Sequence, residues 1–454
     1  MRVLLVEPPK RISRSNSFED DLRELLFFPL GLGYLFSVSK NAGFEVDFLD
    51  CYQKGCHTFT DIEGSNTVRV GIKEAEISEY IQMFKPDVVG VSCIISNRFY
   101  DVLDICRIVK KIDKGIVTVV GGGHPTIQSE DTLSNSEIDF IIRGEGENSF
   151  LRLLYAIQEG IVDGRIIDGV IYKYCGQICE SPEIDFIDDL DTLPFPAYKE
   201  MGFERYIEDN RTASIITSRG CTQQCVFCLA PKIWGKRYRS RSVENILEEI
   251  IYLKENFQID RINFLDDNFL KDKPRAKKLF EALIENKYVK SWSTEHGVEP
   301  YLLDEELVNL MVESGCEKIG LAIESGDQWV LNNIIKKPVD LNRVKEIVKY
   351  IKPFDIKLRG FFIMGIPGEK ILNIENTINF ARELELDSCA FFSAIPIPGT
   401  ELYEICKNNG YVRKDKLELL KYNFSTVNIE TEDFSRKDIE NLLARAKESV
   451  KAGT

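Results

Sequence analysis

The sequence has no excess of positive charge. Its 454 residues include 58 lysines and arginines against 73 aspartates and glutamates, which gives a formal net charge of −15. A protein that binds nucleic acid needs a basic face to neutralise the phosphates. We therefore expect no nucleic acid partner.

The sequence also has no long hydrophobic run. Although 44% of its residues are hydrophobic, no stretch of 18 apolar residues occurs, so we expect globular domains and no membrane span. The first residues, MRVLLVEPPK, predict a strand and a turn, because their apolar run is too short for a signal peptide. Twelve cysteines without an export signal indicate a reducing compartment, which we expect to be the cytoplasm.

Paired cysteine sets of the kind that hold structural zinc are missing around the densest group of thiols. This group lies in SRGCTQQCVFCLAP at 218–231, where Cys221, Cys225 and Cys228 have the spacing Cx3Cx2C and Phe227 precedes the last cysteine. Thiolates suit iron, so the loop predicts an iron–sulfur cluster. Three ligands would leave one iron of a four-iron cluster open for a substrate or cofactor.

The chain predicts two α/β domains. In residues 1–158, short β-branched runs alternate with helical patterns, which is typical of a flavodoxin-like, doubly wound parallel sheet. The predicted strands are Val3–Val6, Val46–Leu49, Val88–Ser92, Val117–Val120 and Phe140–Ile142. No GxGxxG follows the first strand, so dinucleotide binding is not favoured.

A linker with a small hairpin around Gly176 is expected at 159–212. Six further strand–helix units at 213–400 predict a partial (β/α)6 TIM barrel, with its chemistry at the carboxyl ends of the strands. Residues 401–454 would add a helical extension. The predicted barrel strands are Ile215–Thr217, Arg261–Leu265, Trp292–Glu295, Lys318–Ile323, Leu358–Met364 and Ala390–Ala394.

The cysteine loop resembles the signature of the radical S-adenosylmethionine (radical SAM) superfamily, Cx3Cx2C with an aromatic residue before the last cysteine. The resemblance implies a [4Fe-4S] cluster on Cys221, Cys225 and Cys228, whose open iron chelates SAM. It also implies SAM contacts at the ends of the barrel strands, where relatives bind the amino group, the ribose or carboxylate, and adenine. A helix cap is the alternative for Asp266 or Asp267. The implied SAM-binding residues are Phe227, Asp266, Asp267, Asn268, Glu324, Ser325, Gly365, Pro367, Gly368, Glu369 and Pro396.

The first domain resembles the cobalamin-binding domain of cobalamin-dependent radical SAM enzymes. Ser92 ends the third strand and Gly121-Gly122 the fourth, which is similar to the SxL…GG pair of such domains. Glycine would let the cofactor's nucleotide tail approach the backbone. A flavodoxin-like domain with plain glycine turns is the alternative. The implied cobalamin-binding residues are Pro29, Gly31, Ser92, Gly121, Gly122, Gly123, Glu145 and Gly146.

Histidine is scarce, with three residues in all. The loop after the first strand lacks the histidine of the DxHxxG motif, so we expect base-off cobalamin without a histidine ligand. The sequence does not identify a catalytic residue beyond the cluster cysteines. His296, after the third barrel strand, is a candidate that could face the active site, and a core histidine is the alternative.

The resemblance implies a methyltransferase that acts on an unactivated carbon, or phosphorus, of a small molecule or biosynthetic intermediate. A reductant such as flavodoxin or ferredoxin would supply electrons. Three alternatives stay open: a cobalamin-dependent cyclase or rearrangement enzyme, a radical SAM enzyme whose first domain binds no cobalamin, and a non-catalytic cobalamin sensor.

Overall fold

The computed structural model describes residues 1–13, 26–62, 67–181, 183–207, 211–412, 427 and 429–451. The chain packs as two units. The first comprises Met1–Asp188 and Thr192–Ile207, and the second comprises Asp189–Asp191 and Glu208–Thr454. The domain limits expected from the sequence stay predictions.

The first unit is built on a seven-stranded sheet with the order β10-β9-β8-β7-β6-β1-β3. Its parallel strands are β1 (Arg2–Glu7), β3 (Glu45–Asp50), β6 (Val88–Ser92), β7 (Val117–Gly121) and β8 (Phe140–Ile142). The antiparallel strands β9 (Val170–Tyr174) and β10 (Gln177–Glu180) form a hairpin at its edge. The helices of this unit are α1 (Leu30–Asn41), α2 (Cys51–Lys54), α3 (Glu74–Phe84), α4 (Phe99–Ile112), α5 (Gly123–Ile127), α6 (Ser129–Leu133) and α7 (Glu147–Gln158).

The parallel strands follow the flavodoxin-like order, so the chain reverses its winding between β1 and β6. In open α/β sheets, ligands bind at the carboxyl ends of the strands beside such a reversal. The centre of the sheet is apolar on both faces, and residues 3–6 are completely buried, because helices cover both sides of a parallel sheet. The carboxyl ends of β1 and β6 are therefore the expected ligand edge.

A second, antiparallel sheet of three strands was not predicted. It contains β2 (Lys10–Ser13), β4 (Phe59–Asp61) and β5 (Thr67–Val70), in the order β2-β5-β4. These strands are three or four residues long, and all three residues of β4 are exposed. Such segments are too short to show the alternation by which a strand is found in sequence.

The second unit holds a six-stranded parallel sheet with the order β11-β14-β15-β16-β17-β18. Its strands are β11 (Thr212–Ile215), β14 (Arg261–Phe264), β15 (Ser291–Val298), β16 (Cys316–Glu324), β17 (Lys357–Met364) and β18 (Ser388–Ser393). The short strands β12 (Ser218–Arg219) and β13 (Arg239–Ser240) pair beside it. The helices are α8 (Ala230–Ile233), α9 (Val243–Phe257), α10 (Lys273–Asn286), α11 (Glu305–Glu313), α12 (Gln328–Val330), α13 (Leu341–Ile351), α14 (Ile371–Leu384), α15 (Glu401–Asn409) and α16 (Arg436–Lys451).

The predicted fold class is confirmed: a doubly wound domain is followed by six parallel strands with intervening helices. Polar caps start the barrel helices where the sequence changes from strand to helix. The side chains of Ser242, Asp272, Asp304, Asp340 and Thr400 each accept a backbone N–H of the first turn. None of the described helices has an apolar stretch long enough to cross a membrane.

The first barrel strand is one correction. The sequence predicts it at Ile215–Thr217, but β11 ends at Ile215. Thr217 does not pair in the sheet because its N–H and its hydroxyl donate to the carboxylate of Asp266, at 3.2 and 2.8 Å. This side-chain bonding competes with strand pairing and turns the chain into the cysteine loop.

Candidate active site

The cysteine loop leaves β11 and is held at both sides. Gly220 has a φ of +86°, and a Cβ there would lie 2.3 Å from the carbonyl oxygen of Arg237, so only glycine fits. Val226 is buried in the middle of the loop. Its N–H donates to the carbonyl of Ile335 at 3.4 Å, and its carbonyl accepts the N–H of Leu402 at 2.9 Å. The loop is thus fixed by the protein's own backbone.

The three thiols of this loop are free and partly exposed. Burial raises the pKa of Cys225 to about 12 and that of Cys228 to about 11, so both thiols are protonated at neutral pH. Binding of iron must release these protons. In the described part of the chain, no three His, Cys, Asp or Glu side chains converge on one metal ion. Cysteine thiolates are the usual ligands of a [4Fe-4S] cluster, so the loop carries donors of the kind that such a cluster needs.

The end of β14 supplies polar groups beside the thiols. Asp266 is buried and receives hydrogen bonds from Thr217 and from the Ser218 hydroxyl, so its carboxylate shapes the entry to the loop. Asp267 is exposed. Asn268 is 1% exposed, and its Nδ2 lies 3.6 Å from the sulfur of Cys221. The structure therefore brings Asn268 and the cysteine loop together.

Sequence reasoning missed a buried arginine below the loop. Arg275, in α10, donates to the carbonyl oxygen of Thr217 at 3.1 Å and to the hydroxyl of Tyr238 at 3.0 Å. Its charge lowers the pKa of Asp266, although burial outweighs it and that pKa is raised. An arginine in an otherwise amphipathic helix gives no local signal of this role.

The end of β16 carries a buried ion pair. Glu324 has a φ of +71°, which is strained for a residue with a side chain. Lys337 donates to its carboxylate at 2.9 Å and to the carbonyl oxygen of Ala322 at 2.8 Å. Burial opposes the charge of Lys337, but Glu324 and then Cys225 outweigh burial and raise the lysine pKa. Lys337, absent from the sequence-based site, therefore places a cation near the thiols.

Ser325, the next residue, is completely buried. Its hydroxyl lies 3.1 Å from that of Thr377 and accepts the N–H of Asp327 at 3.2 Å. These contacts anchor the start of the following turn to α14.

The end of β17 forms a glycine turn around Glu369. Gly365 and Gly368 have φ values of +81° and +95°, and Pro367 lies between them. Glu369 is fully buried and its Oε2 accepts the N–H of Ile366 at 2.7 Å. Its Oε1 is a buried atom with no partner among the described residues. Burial raises the pKa of Glu369 to about 8.

Three further predicted positions lie in the second unit. Phe227 is half-buried within the loop, and Pro396 is buried after β18. His296 is an exposed residue of β15.

The ligand edge of the first unit carries glycines and apolar side chains. Gly122 has a φ of +115°, and a Cβ there would lie 2.6 Å from the carbonyl oxygen of Cys93. Ile94 and Ile95, which follow β6, are 51% and 46% exposed. Gly121 and Ser92 are paired at the ends of their strands and are partly accessible. This edge therefore offers backbone and an apolar surface.

The remaining predicted residues lie around this edge. Pro29 is buried and precedes α1, whereas Gly31 is exposed with open space around it. Gly123 is a buried residue of α5, and Gly146 precedes α7. Glu145 is buried and accepts the N–H of Ile187 at 2.9 Å, so its carboxylate fastens the segment after the hairpin.

A buried charge cluster at the same edge was missed by sequence reasoning. Glu7 ends β1 and pairs with Arg98 at 3.2 Å, and Asp50 ends β3 and accepts the hydroxyl of Tyr206 at 2.7 Å. Burial raises the pKa of Glu7 and lowers that of Lys10. Acidic residues that end two neighbouring strands were the available signal.

Comparison with known proteins assigns the two units. Residues 23–154 match the B12 binding domain family, and residues 215–381 match the radical SAM superfamily. Over 94% of its length, the chain is 31% identical to the cytidylyl-2-hydroxyethylphosphonate methyltransferase of Streptomyces wedmorensis, of which it covers 86%. The chain belongs to the cobalamin-dependent radical SAM enzymes.

Two other relatives agree with this family. An uncharacterized methyltransferase of Pyrococcus horikoshii is 31% identical over 98% of the chain and 91% of its own length. The radical SAM methyltransferase TsrM from Kitasatospora setae has the same fold, with a TM-score of 0.71 at 18% identity over 91% of this chain and 77% of its own. The protein is a cobalamin-dependent radical SAM methyltransferase with a [4Fe-4S] cluster, SAM and cobalamin as cofactors.

The residues present fit the three cofactors of this methyltransferase. Cysteine thiols in a preformed loop suit the iron cluster. The unpartnered acceptor atoms of Asn268 and Glu369 are buried polar groups that a polar ligand such as SAM would satisfy. The exposed Ile94 and Ile95 beside the glycine turn suit a large, largely apolar macrocycle.

Proposed function

We propose that this enzyme methylates an unactivated carbon, or phosphorus, of a small molecule. The observation that carries the proposal is the match to the Streptomyces wedmorensis enzyme over nearly the full length of both chains. That relative is named for a small cytidylylated phosphonate, which makes such a compound the first probe. An anaerobic magnesium-protoporphyrin IX monomethyl ester cyclase of Rubrivivax gelatinosus is 28% identical over 81% of the chain, so cyclisation is the second candidate.

We propose the barrel residues for holding the cluster and SAM. Together with the cobalamin, these cofactors supply radical formation and the methyl group. Cys221, Cys225 and Cys228 would ligate three irons. Asn268 offers a buried acceptor to an ammonium group. Glu369, protonated below its pKa of about 8, could donate a hydrogen bond to a heteroaromatic ring or accept one from it.

The other predicted SAM-binding residues remain part of the proposal. Asp266, Glu324 and Ser325 support the strand ends through the contacts described above. Gly365, Pro367, Gly368 and Pro396 would present backbone to the adenine, which needs no charged side chain. Phe227 and Asp267 complete the set. Their common task is to orient the reacting atoms and exclude water.

We propose the glycine edge of the first unit for cobalamin, with Pro29, Gly31, Ser92, Gly121, Gly122, Gly123, Glu145 and Gly146 around it. The cofactor would be base-off without a histidine ligand. His57 is exposed in a loop, and His124 is 1% exposed and packed on Phe99 with ring centroids 4.4 Å apart. A packed ring of this kind would have to leave its site to reach a metal.

An external reductant is required by radical SAM chemistry. We propose a flavodoxin or ferredoxin as the donor, and the cytoplasm as the compartment in which both proteins meet. These proposals follow from the reducing environment that twelve free cysteines need.

The function is tested with the full chain, reconstituted anaerobically with iron, sulfide and cobalamin and reduced with titanium(III) citrate. With SAM and cytidylyl-2-hydroxyethylphosphonate as the probe, we expect both S-adenosylhomocysteine and 5′-deoxyadenosine. With SAM alone, reduced cobalamin should still yield S-adenosylhomocysteine, because loading of the methyl group needs no substrate. Formation of 5′-deoxyadenosine without S-adenosylhomocysteine in both reactions would exclude methyl transfer and favour cyclisation.

A further inference from the structure

Asn268 is held by its amide nitrogen and leaves its amide oxygen unused. Its Nδ2 donates to Glu299 Oε2 at 3.0 Å and lies 3.6 Å from the sulfur of Cys221. Its Oδ1 is buried and has no hydrogen-bond partner among the described residues. A buried acceptor without a donor costs free energy in a finished site. The oxygen is thus available to a ligand that brings an N–H group.

Glu299 determines which end of the Asn268 amide stays available to a ligand. It directly follows β15 and is 6% exposed. A carboxylate accepts hydrogen bonds and donates none, so it binds the amide nitrogen of Asn268 and excludes the flipped amide. A neutral amide side chain at this position could bind either end of the Asn268 amide, because it both donates and accepts hydrogen bonds.

The same carboxylate is tied to the cysteine loop. The hydroxyl of Tyr301 donates to Glu299 Oε2, and its oxygen accepts the side-chain N–H of Gln223 at 2.7 Å. Gln223 lies between Cys221 and Cys225, so the contacts form a closed ring from the loop through Tyr301, Glu299 and Asn268 back to Cys221. In this ring Gln223 donates to the hydroxyl of Tyr301, and Tyr301 and Asn268 both donate to the carboxylate of Glu299.

We infer that Glu299 is a positioning residue for SAM. It fixes the Asn268 amide with its oxygen free, and that oxygen accepts the ammonium group of the cofactor's methionine part. The inference rests on the proposed SAM contacts of the barrel and deepens them. Glu299, Tyr301 and Gln223 thereby join the site through Asn268, without touching the reacting atoms.

The test compares Glu299→Gln with wild type, both reconstituted with cluster in the full chain. Glutamine keeps the size and one acceptor, so the cluster should load fully and the melting temperature should stay unchanged. The new amide can donate to the Asn268 oxygen and occupy it, so the dissociation constant of SAM should rise about tenfold, the effect of losing one hydrogen bond to a charged group. It is read from the SAM-induced change in the electron paramagnetic resonance spectrum of the reduced cluster.

A double variant separates positioning from packing. In Asn268→Asp with Glu299→Gln, the new carboxylate presents an oxygen whichever way it turns, and the new amide can donate to it. SAM affinity should return to within about threefold of wild type, whereas Asn268→Asp alone should bind poorly because two carboxylates face each other. Glu305→Gln, an exposed acid of α11, is the matched control and should change nothing.

Any of three results would overturn the inference. The first is SAM binding of Glu299→Gln at wild-type affinity with full iron content. The second is loss of iron from Glu299→Gln, and the third is failure of the double variant to recover, because in both cases Glu299 would build the loop without orienting Asn268. Wild-type protein that carries the full cluster but forms no 5′-deoxyadenosine would instead contradict the proposed function itself.

Discussion

The carboxyl edges of the two parallel sheets offer different groups to a ligand. At the edge of the first unit, Glu7 pairs with Arg98 and Asp50 accepts the hydroxyl of Tyr206, although Glu7 Oε2 has no hydrogen-bond partner among the described residues. What this edge offers outward is glycine backbone and the exposed Ile94 and Ile95. The barrel edge instead offers thiols and unpartnered acceptors.

This difference matches the chemistry of the ligands. A corrin ring is a wide macrocycle, so the exposed Ile94 and Ile95 beside the glycine backbone would lose water-exposed apolar surface when it binds. A cluster and a zwitterionic cofactor need atoms that are still free to bond. The comparison predicts that each edge can be disabled without the other.

The largest effect should follow from removing the barrel thiols. Replacement of Cys221, Cys225 and Cys228 by alanine should abolish iron binding and 5′-deoxyadenosine formation, because no other thiols lie in this loop. Cobalamin binding should persist. Iron analysis and chromatography of the products measure both results.

Alanine at Cys56, Cys175 and Cys179 is the matched control, since these thiols belong to the first unit and should leave the iron content unchanged. A triple variant of the barrel loop that still holds a cluster after reconstitution would show that the ligands have been misassigned.

The reverse loss should follow from Gly122→Val. A Cβ at this position would meet the carbonyl oxygen of Cys93 at 2.6 Å, and a φ of +115° is strained for any side chain. The glycine turn must shift, so we expect cobalamin binding and S-adenosylhomocysteine formation to fall at least about tenfold, while the cluster and abortive 5′-deoxyadenosine formation remain.

Gly160→Val controls for the strain alone, because Gly160 has a φ of +68° but open space around it. It should lower stability and leave cobalamin binding intact. Equal loss of cobalamin in both variants would mean that strain, and not the shape of the edge, is responsible.

A smaller effect concerns the buried acid of the barrel edge. Burial raises the pKa of Glu369 from its ordinary 4.5 to about 8. A raised carboxyl pKa stabilises the fold below the unfolded pKa, and this stabilisation is lost as the pH rises through the folded pKa. Thermal unfolding should therefore show wild type losing stability relative to Glu369→Gln between about pH 5 and about pH 8, by about 1.4 kcal/mol for each unit of pKa difference.

Glu404→Gln, at an exposed acid of α15, is the control. A difference between wild type and Glu369→Gln that stays constant with pH would show that Glu369 titrates as an ordinary carboxyl group.

The smallest expected effect is the absence of a signal. Cob(II)alamin bound to the protein should show no nitrogen hyperfine splitting from an axial imidazole in its electron paramagnetic resonance spectrum. His124→Gln should leave that spectrum unchanged, because the ring is buried against Phe99. An imidazole splitting that disappears in this variant would identify His124 as a ligand after all.

The sequence was most informative where the chemistry is local. Three cysteines within eight residues, and valine-rich strands such as Val88–Ser92, are visible without tertiary contacts. Glu299 and Gln223 are 76 positions apart, and the carboxylate's effect on Asn268 depends on a third strand. No local pattern encodes such a contact, although polar residues that end barrel strands are worth testing as a group.

The errors have the same origin. The first barrel strand was placed too late because β-branched Ile216 and Thr217 favour a strand, whereas Asp266 captures the backbone of Thr217. The pairing of Asp50 with Tyr206 joins a strand end to a segment 156 residues further on. Local preference gave way to tertiary hydrogen bonding in both cases.

The fixing of Val226 has a consequence for the life of the enzyme. Because its N–H and carbonyl bind Ile335 and Leu402, the segment between Cys225 and Cys228 is held by hydrogen bonds that do not involve iron. Binding of the cluster then costs little conformational entropy, and the cysteine loop should keep its conformation when the metal is lost. We expect protein stripped by a chelator to regain its full iron content on reconstitution through repeated cycles. An iron–sulfur cluster that oxygen has destroyed can therefore be rebuilt on the same protein.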